Sequence, residues 1–227
     1  MITGAMIGYW RRRRLRGLNC GDRRLMNDPE LIVADALESA QSDLRSVRPV
    51  EAVLRFYRRH DALLARTAEV SPEKRACRAG CWYCCYYKVE ATAVEVFRIV
   101  EYARATRKPE QIATLINEVA ESVNATKDLT YEQHLATNQR CPPVYGVRPT
   151  KGRNFHAQDV EGCRHSYEDP HDLAAPPSYV PALKIAGEAS EASFRAAMER
   201  AGIDNQTYDL NSALLDVNES RIWQAVQ

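Results

Sequence analysis

The chain has 227 residues, of which 45% are apolar and 27% charged, and its formal net charge is +1. This composition suits one domain with a hydrophobic core, excludes a disordered chain and gives no whole-chain charge that would select a partner. No apolar run approaches the ~20 residues that a membrane-spanning helix needs, so we expect no membrane span.

Arginine residues are concentrated at the N-terminus. Residues 1–26 contain seven Arg and one Asp, whereas the remaining residues contain 24 basic and 29 acidic side chains. We therefore predict a basic flexible arm over 1–26 and a single helical domain over 27–227, whose mildly acidic charge argues against nucleic-acid binding. The basic run follows the apolar residues, which is the reverse of a secretory signal, so we expect a cytoplasmic protein.

Two helices are predicted before the cysteine-rich part of the chain. Asp28, Pro29 and Glu30 supply an N-cap acid, a proline at the first helical position and an acid in the first turn, which predicts a helix to about Arg45. Pro49 starts a second helix, whose apolar residues keep helical spacing to about residue 69.

Helices also predominate after the cysteines, where the one predicted extended piece covers residues 86–90. Thr92 and Glu95 form a capping box, which explains Glu95 by capping alone and predicts a helix to about residue 106. Further helices are predicted to begin at Pro109 and at the capping box of Thr130 and Gln133. Another helix is predicted over about 182–201, with Gly202 just beyond its end, and two short helices over 209–215 and 219–226. Residues 139–163 lack periodicity and are predicted to be irregular. The predicted fold class is mainly α, with the cysteines on connecting loops.

Four of the seven cysteines fall within nine residues, in the segment Cys77-Arg-Ala-Gly-Cys81-Trp-Tyr-Cys84-Cys85. Thiolates this close repel one another unless a positive centre such as a soft metal neutralises them. The spacing of Cys81 and Cys84 lets both sulfurs reach one tetrahedral ion at about 2.3 Å, and Cys77 adds a third ligand. Neighbouring Cys84 and Cys85 project differently, which favours a multinuclear cluster or two ions. A redox disulfide pair and inert cysteines are the alternatives, and the spacing favours metal binding over both.

This segment resembles the signature of the YkgJ-like cysteine-cluster family of zinc- or iron-chelating proteins, over roughly residues 70–170. The resemblance implies a second cysteine group, matched here by Cys141-Pro142, Tyr145, Arg148-Pro149, Arg153, Asp159 and Cys163. Two family cysteines are absent: one just before Tyr145, and one at the position of Gly152. The resemblance thus implies a mainly helical metal-binding domain with these ligands: Cys77, Cys81, Cys84, Cys85, Cys141 and Cys163. An iron–sulfur cluster is the expected cofactor, and zinc is the alternative.

Other residues near the motifs are weaker candidates for a role at the metal site. His156, His165 and His171 lie near Cys163 in the sequence, and an imidazole at His156 would replace a missing ligand. Cys20 lies in the basic arm and has no ligand spacing. Arg148 is predicted either to offset thiolate charge or to join a surface Arg–Asp pair that fixes the loop. A set of aromatic residues either shields the centre from solvent or anchors the loop on the helices: Trp82, Tyr83, Tyr86 and Tyr87.

Three functions remain open at the level of the sequence. The first is a redox or accessory protein with an iron–sulfur cluster, and the second is a zinc-stabilised module that binds a protein partner. The third is a protein-modifying enzyme domain, because a related cysteine-cluster domain occurs in a methylase acting on flagellin lysines. The spacing of Cys77, Cys81 and Cys84 also fits the radical-SAM cluster loop, but the long helices predicted after it argue against that family's βα barrel.

Overall fold

The structure is a computed structural model that describes residues 29–78, 81–137, 145–172, 174 and 177–219. The predicted basic arm over 1–26, Cys20 and Cys141 lie outside the described residues, as does nearly all of the helix predicted over 219–226. The described chain is mainly helical, as predicted. Its elements are α1 (Pro29–Ser46), α2 (Pro49–Val70), β1 (Glu90–Thr92), α3 (Ala93–Thr106), α4 (Pro109–Thr126), α5 (Tyr131–Leu135), α6 (Thr150–Arg153), α7 (Val160–Glu168), α8 (Pro181–Arg200), β2 (Thr207–Asp209) and α9 (Leu210–Glu219).

Helices α1, α2 and α8 pack together on one side of the core. Proline occupies the first position of each, where the missing backbone N–H costs no helical hydrogen bond. The rings of Phe56 and Phe194 stack between α2 and α8, with centroids 4.3 Å apart and planes 11° from parallel. A smaller apolar cluster forms where Ile32, Leu64 and Leu183 meet.

Helices α3, α4 and α9 form the other side, and α3 also packs against α2. Phe97, Ile99 and Leu210 are almost completely buried there and join the same core as Phe56. At roughly 25 cal/mol per Å² of apolar surface, burial of such side chains is the main term that holds the two sides together. No helix in the described part of the chain is long and apolar enough to cross a membrane.

A short antiparallel sheet replaces the predicted extended piece. Residues Tyr83–Tyr86 form a 3₁₀ turn, and strand β1 begins only at Glu90. The strand pairs with β2 in the register Ala91↔Tyr208. The strand overlaps the predicted piece 86–90 only at Glu90, because its position is fixed by a partner more than a hundred residues away and not by local sequence.

Residues 139–163 are less irregular than predicted. A 3₁₀ turn covers Tyr145–Val147, and α6 and α7 follow within the part of this segment that the structure describes. The Asp159 side chain accepts a hydrogen bond from the Gly162 backbone N–H and so caps α7. Cys163 consequently lies in a helix and not in a connecting loop, which corrects the prediction for this cysteine.

The end of α8 confirms the assignment of Gly202 just beyond the helix. Gly202 has φ of 69°, a left-handed conformation that residues other than glycine adopt at a cost. Its N–H bonds the Glu199 carbonyl at 3.0 Å, and the Ile203 N–H bonds the Met198 carbonyl at 2.9 Å. These two bonds form a Schellman motif and turn the chain toward β2.

Candidate metal centre

The structure places the first cysteine group between α2 and β1. Cys77 and Cys81 lie in irregular backbone, and Cys84 and Cys85 lie in the 3₁₀ turn. The side chains of Cys77, Cys81 and Cys84 are half-buried, that of Cys163 is buried, and none of these four is in a disulfide. For Cys85 the structure describes the backbone alone, and Cys141 lies outside the described residues.

Helix α7 packs against the 3₁₀ turn and brings Cys163 to the first group. Burial raises the pKa of Cys163 to about 12, and negative charge on Cys77 and on Cys81 raises it further. Burial raises the pKa of Tyr179, and negative charge on Cys163 and on Cys84 raises it further. The packing of α7 on the 3₁₀ turn places Cys163 in the same region of the fold as the first group.

The Cys77 sulfur is held by the second segment of the chain, residues 145–163, which includes Cys163 of the second cysteine group. The Ala157 backbone N–H donates a hydrogen bond to it at 3.1 Å. Burial raises the pKa of Cys77, while that hydrogen bond and the nearby guanidinium groups of Arg75 and Arg148 act in the opposite direction. Arg148 thus has the electrostatic effect on a thiol that the sequence suggested.

An Arg–Asp pair also fixes this part of the chain, and its arginine is Arg153. Arg153 is only 5% exposed and pairs with Asp61 of α2, while Asp159 caps α7. The Arg153 Nε–H also donates to the Arg148 carbonyl at 2.9 Å, and the guanidinium lies 4.0 Å from the centre of the Tyr57 ring. These contacts fasten the second segment to α2.

Glu95 has more partners than a helix cap requires. One carboxylate oxygen accepts from the Thr92 backbone N–H at 2.9 Å, which is the predicted capping contact. The other accepts from the Tyr57 hydroxyl at 3.0 Å and from the Thr150 N–H at 2.8 Å. Capping alone is therefore the wrong explanation: Glu95, at 4% exposure, joins α2, α3 and α6.

A second polar network fixes the backbone just before His156. His60, in α2, is packed, with Nε2 2.8 Å from the Asn154 side-chain oxygen. The Asn154 amide donates to a Glu191 oxygen at 2.8 Å. Burial lowers the pKa of His60 to about 4 and raises that of Glu191. The sequence indicates this network only through polar residues on the otherwise apolar faces of α2 and α8, and the network was not predicted.

His156 is the most unusual of the three candidate histidines. Its ring is 7% exposed, and neither nitrogen has a hydrogen-bond partner among the described residues. Burial, with Arg75 and Arg148 nearby, lowers its pKa to about 4, so the ring is neutral near pH 7. By contrast, His165 Nε2 lies 2.9 Å from an Asp172 oxygen, and His171 is exposed. A buried, unpaired, neutral imidazole is a potential metal ligand.

Three of the four aromatic residues around the motif form one group with Tyr167, and the fourth, Tyr87, contacts Phe155 instead. Trp82 and Tyr86 pack against Tyr167 of α7, with ring centroids 4.9 and 4.8 Å from it, and Tyr83 joins the same group. These contacts favour the anchoring role, because they hold the 3₁₀ turn on the helix that carries Cys163. Trp82 itself remains 46% exposed.

The described side chains do not by themselves form a closed chelate. Among them, no group of three or more His, Cys, Asp or Glu lies close enough to hold one metal ion. The structure therefore brings thiols of both cysteine groups into one region without assembling a finished mononuclear site. Comparison with protein-family models, curated proteins and solved structures finds no match for the chain. The YkgJ-like resemblance accordingly stays a prediction.

Proposed function

We propose that the protein binds a metal centre through its clustered cysteines, and that this centre is an iron–sulfur cluster, with zinc as the alternative. The observation that carries the proposal is the position of Cys163. It lies far from the first group in sequence, and its helix α7 nevertheless packs against the 3₁₀ turn that carries Cys84 and Cys85. A cysteine without a role at the site would not be expected in the helix that packs against the cysteine-rich turn.

The chemistry of the donors fits a soft metal. The centre would be held by Cys77, Cys81 and Cys84 of the first group and closed by Cys163, which gives the four thiolates that a [4Fe–4S] cluster needs. Cys85 and Cys141 are further candidates on sequence grounds. His156 offers a neutral nitrogen whose lack of a partner among the described residues a metal would relieve.

The charges around the thiols also bear on metal binding. Raised pKa values mean that Cys77 and Cys163 are protonated without a metal, and metal binding replaces those protons. Arg75 and Arg148 then lie where they balance the negative charge of metal-bound thiolates. When bound, an iron–sulfur cluster supplies one-electron redox chemistry, and a zinc ion supplies a structural cross-link.

A cluster is favoured over a single ion by the neighbouring pair Cys84 and Cys85. The side chains of adjacent residues project differently, so both sulfurs reach one ion with difficulty, whereas a multinuclear cluster accommodates them more easily.

The proposal is tested by analysing the full-length protein after anaerobic purification. Iron and acid-labile sulfide in equal amounts, with a brown colour, would support the cluster. Zinc without sulfide would support the alternative. Protein that contains neither, and that takes up neither zinc nor a reconstituted cluster, would overturn the proposal.

A further inference from the structure

An open cleft of about 440 Å³ lies beside the candidate metal centre. Its walls come from the 3₁₀ turn and β1, from α6, from α7 and from the backbone that leads into α8. Cys84 lines one side of the cleft and Ser166 lines another. Sites for small organic molecules commonly have volumes of about 300–1,000 Å³ and lie where several segments meet, so the size and the position are both appropriate.

Three aromatic rings form an apolar wall of this cleft. The Phe155 ring lies between those of Tyr87 and Tyr179, with both centroid distances 5.2 Å and interplanar angles of 51° and 72°. Rings at these separations form a surface that accepts a flat apolar group through stacked or edge contacts. The wall therefore selects a ligand with a planar body.

The charged residues of the cleft leave one ammonium group to a ligand. Glu90 and Asp172 already have hydrogen-bond partners, since Glu90 accepts from the Thr207 hydroxyl at 3.4 Å and Asp172 lies 2.9 Å from His165 Nε2. Lys151 is paired with Glu191, with 3.4 Å between the Lys151 nitrogen and a Glu191 oxygen. Lys88 forms no ion pair within the part of the chain that the structure describes, so its ammonium group is available to an anionic group of a ligand.

We infer that this cleft binds a small organic anion with a planar apolar body, whose charged group lies at Lys88 and whose body lies on the Tyr87–Phe155–Tyr179 wall. The inference goes beyond metal binding and does not depend on which metal the cysteines hold. Because Cys84 lines the cleft, a molecule bound there lies next to the candidate metal centre. Such a molecule would be positioned as a substrate or effector of the centre.

The first test uses 1-anilinonaphthalene-8-sulfonate, a planar anion whose fluorescence rises on binding. Titration of the full-length protein is expected to give saturable binding. Lys88→Met should raise its Kd about threefold or more, because it removes a charge contact, whereas Lys151→Met should raise it less, because that ammonium group is paired with Glu191. The matched control is Lys127→Met, which removes an exposed lysine just after α4 and should leave the Kd unchanged.

A competing site must be separated from the cleft. An apolar groove between α3, α4 and α9 also offers an aromatic probe a surface, and Ile112 is one of its lining residues. Ile112→Asn should leave the Kd unchanged if the probe lies in the cleft. Loss of binding in Ile112→Asn, with unchanged binding in Lys88→Met, would overturn the inference.

Competition then identifies the charged group of the ligand. Benzoate and phenyl phosphate are added separately to the probe complex, with neutral benzyl alcohol as the control. Displacement by either anion supports the inference and shows which group Lys88 accepts, whereas displacement by neither, or equally by benzyl alcohol, overturns it. Metal content is measured on the same samples, so a failure of cleft binding is distinguished from a failure of metal binding.

Discussion

The Ala157 backbone N–H donates a hydrogen bond to the Cys77 sulfur at 3.1 Å, and the two residues are 80 positions apart in the sequence. A second bond runs beside it, from the Ala76 N–H to the Ala157 carbonyl at 2.9 Å. Ala157 also forms an antiparallel bridge with Tyr179. The position of Cys77 therefore depends on the second segment of the chain as well as on its own motif, and residues distant in the sequence build the candidate site together.

Removal of two central thiols should release the metal and destabilise the protein. We predict that the double variant Cys81→Ser, Cys84→Ser loses most of its bound metal, because metal binding energy contributes to folding when the ligands come from separate segments. The thermal midpoint should fall by about 6 °C or more, since a loss of some 2–3 kcal/mol has this effect in a chain of this size. Metal analysis and thermal unfolding measure the two effects.

The control for this variant is Cys20→Ser, which removes a cysteine without ligand spacing. It should keep both its metal and its thermal midpoint. Unchanged metal content in the Cys81→Ser, Cys84→Ser protein would show that these residues are not ligands.

Glu95 and Gln133 allow helix capping to be separated from tertiary bonding. Both occupy the same position of a capping box, but Gln133 is at an exposed helix start, whereas Glu95 also accepts from Tyr57 and Thr150. We predict that Gln133→Ala costs about 1 kcal/mol of unfolding free energy. Glu95→Ala should cost about 3 kcal/mol or more, because it leaves buried donors without an acceptor. Denaturant unfolding measures both, and equal costs would mean that the tertiary bonds contribute nothing.

The helices were largely predictable because their start signals are local. Pro29, Pro49 and Pro109 each occupy the first helical position, and Gly202 lies just beyond the end of α8, all as the sequence indicated. The pairing of β1 with β2 was not predictable in this way, since each strand has three residues and its partner is remote in sequence. The short helix α7 was missed because its cap at Asp159 falls among prolines and glycines.

The candidate site was predictable only where its signal is local in the sequence, as it is for the helix starts. The spacing of Cys81 and Cys84 is a local pattern and indicates a metal without knowledge of the fold. The electrostatic coupling of Cys163 to that group depends on how α7 packs, and the unpaired nitrogens of His156 depend on burial from several segments. The sequence indicated His156 only as one of three histidines near Cys163, and its burial and unpaired nitrogens distinguish it from the other two in the fold.

The buried imidazole of His60 should make stability depend on pH. Burial lowers its pKa from 6.5 to about 4, so between these values the unfolded chain binds a proton that the folded protein does not. The free energy of unfolding therefore falls as the pH drops from 6.5 toward 4, by up to about 3 kcal/mol. Denaturant unfolding over this range measures the slope.

The contribution of His60 is isolated with His60→Gln, which carries no group that titrates in this range. Its unfolding free energy should fall less steeply between pH 6.5 and 4 than that of the unaltered protein, whatever the two stabilities are at pH 7. Parallel pH profiles for the two proteins would rule out this role for His60.

His156→Leu should have opposite effects on metal binding and on the stability of the metal-free protein. Replacing a buried imidazole that lacks hydrogen-bond partners among the described residues by an apolar side chain removes an unsatisfied polar group, so the thermal midpoint after metal removal should stay the same or rise. Metal affinity should fall about tenfold or more if the ring binds or orients the centre.

His165→Leu is the control for His156→Leu, because the His165 ring is partly exposed and already contacts Asp172, and it should leave metal affinity unchanged. Competition with a chelator measures the affinities. A His156→Leu protein with normal metal affinity and a lower midpoint would show that the imidazole serves packing alone.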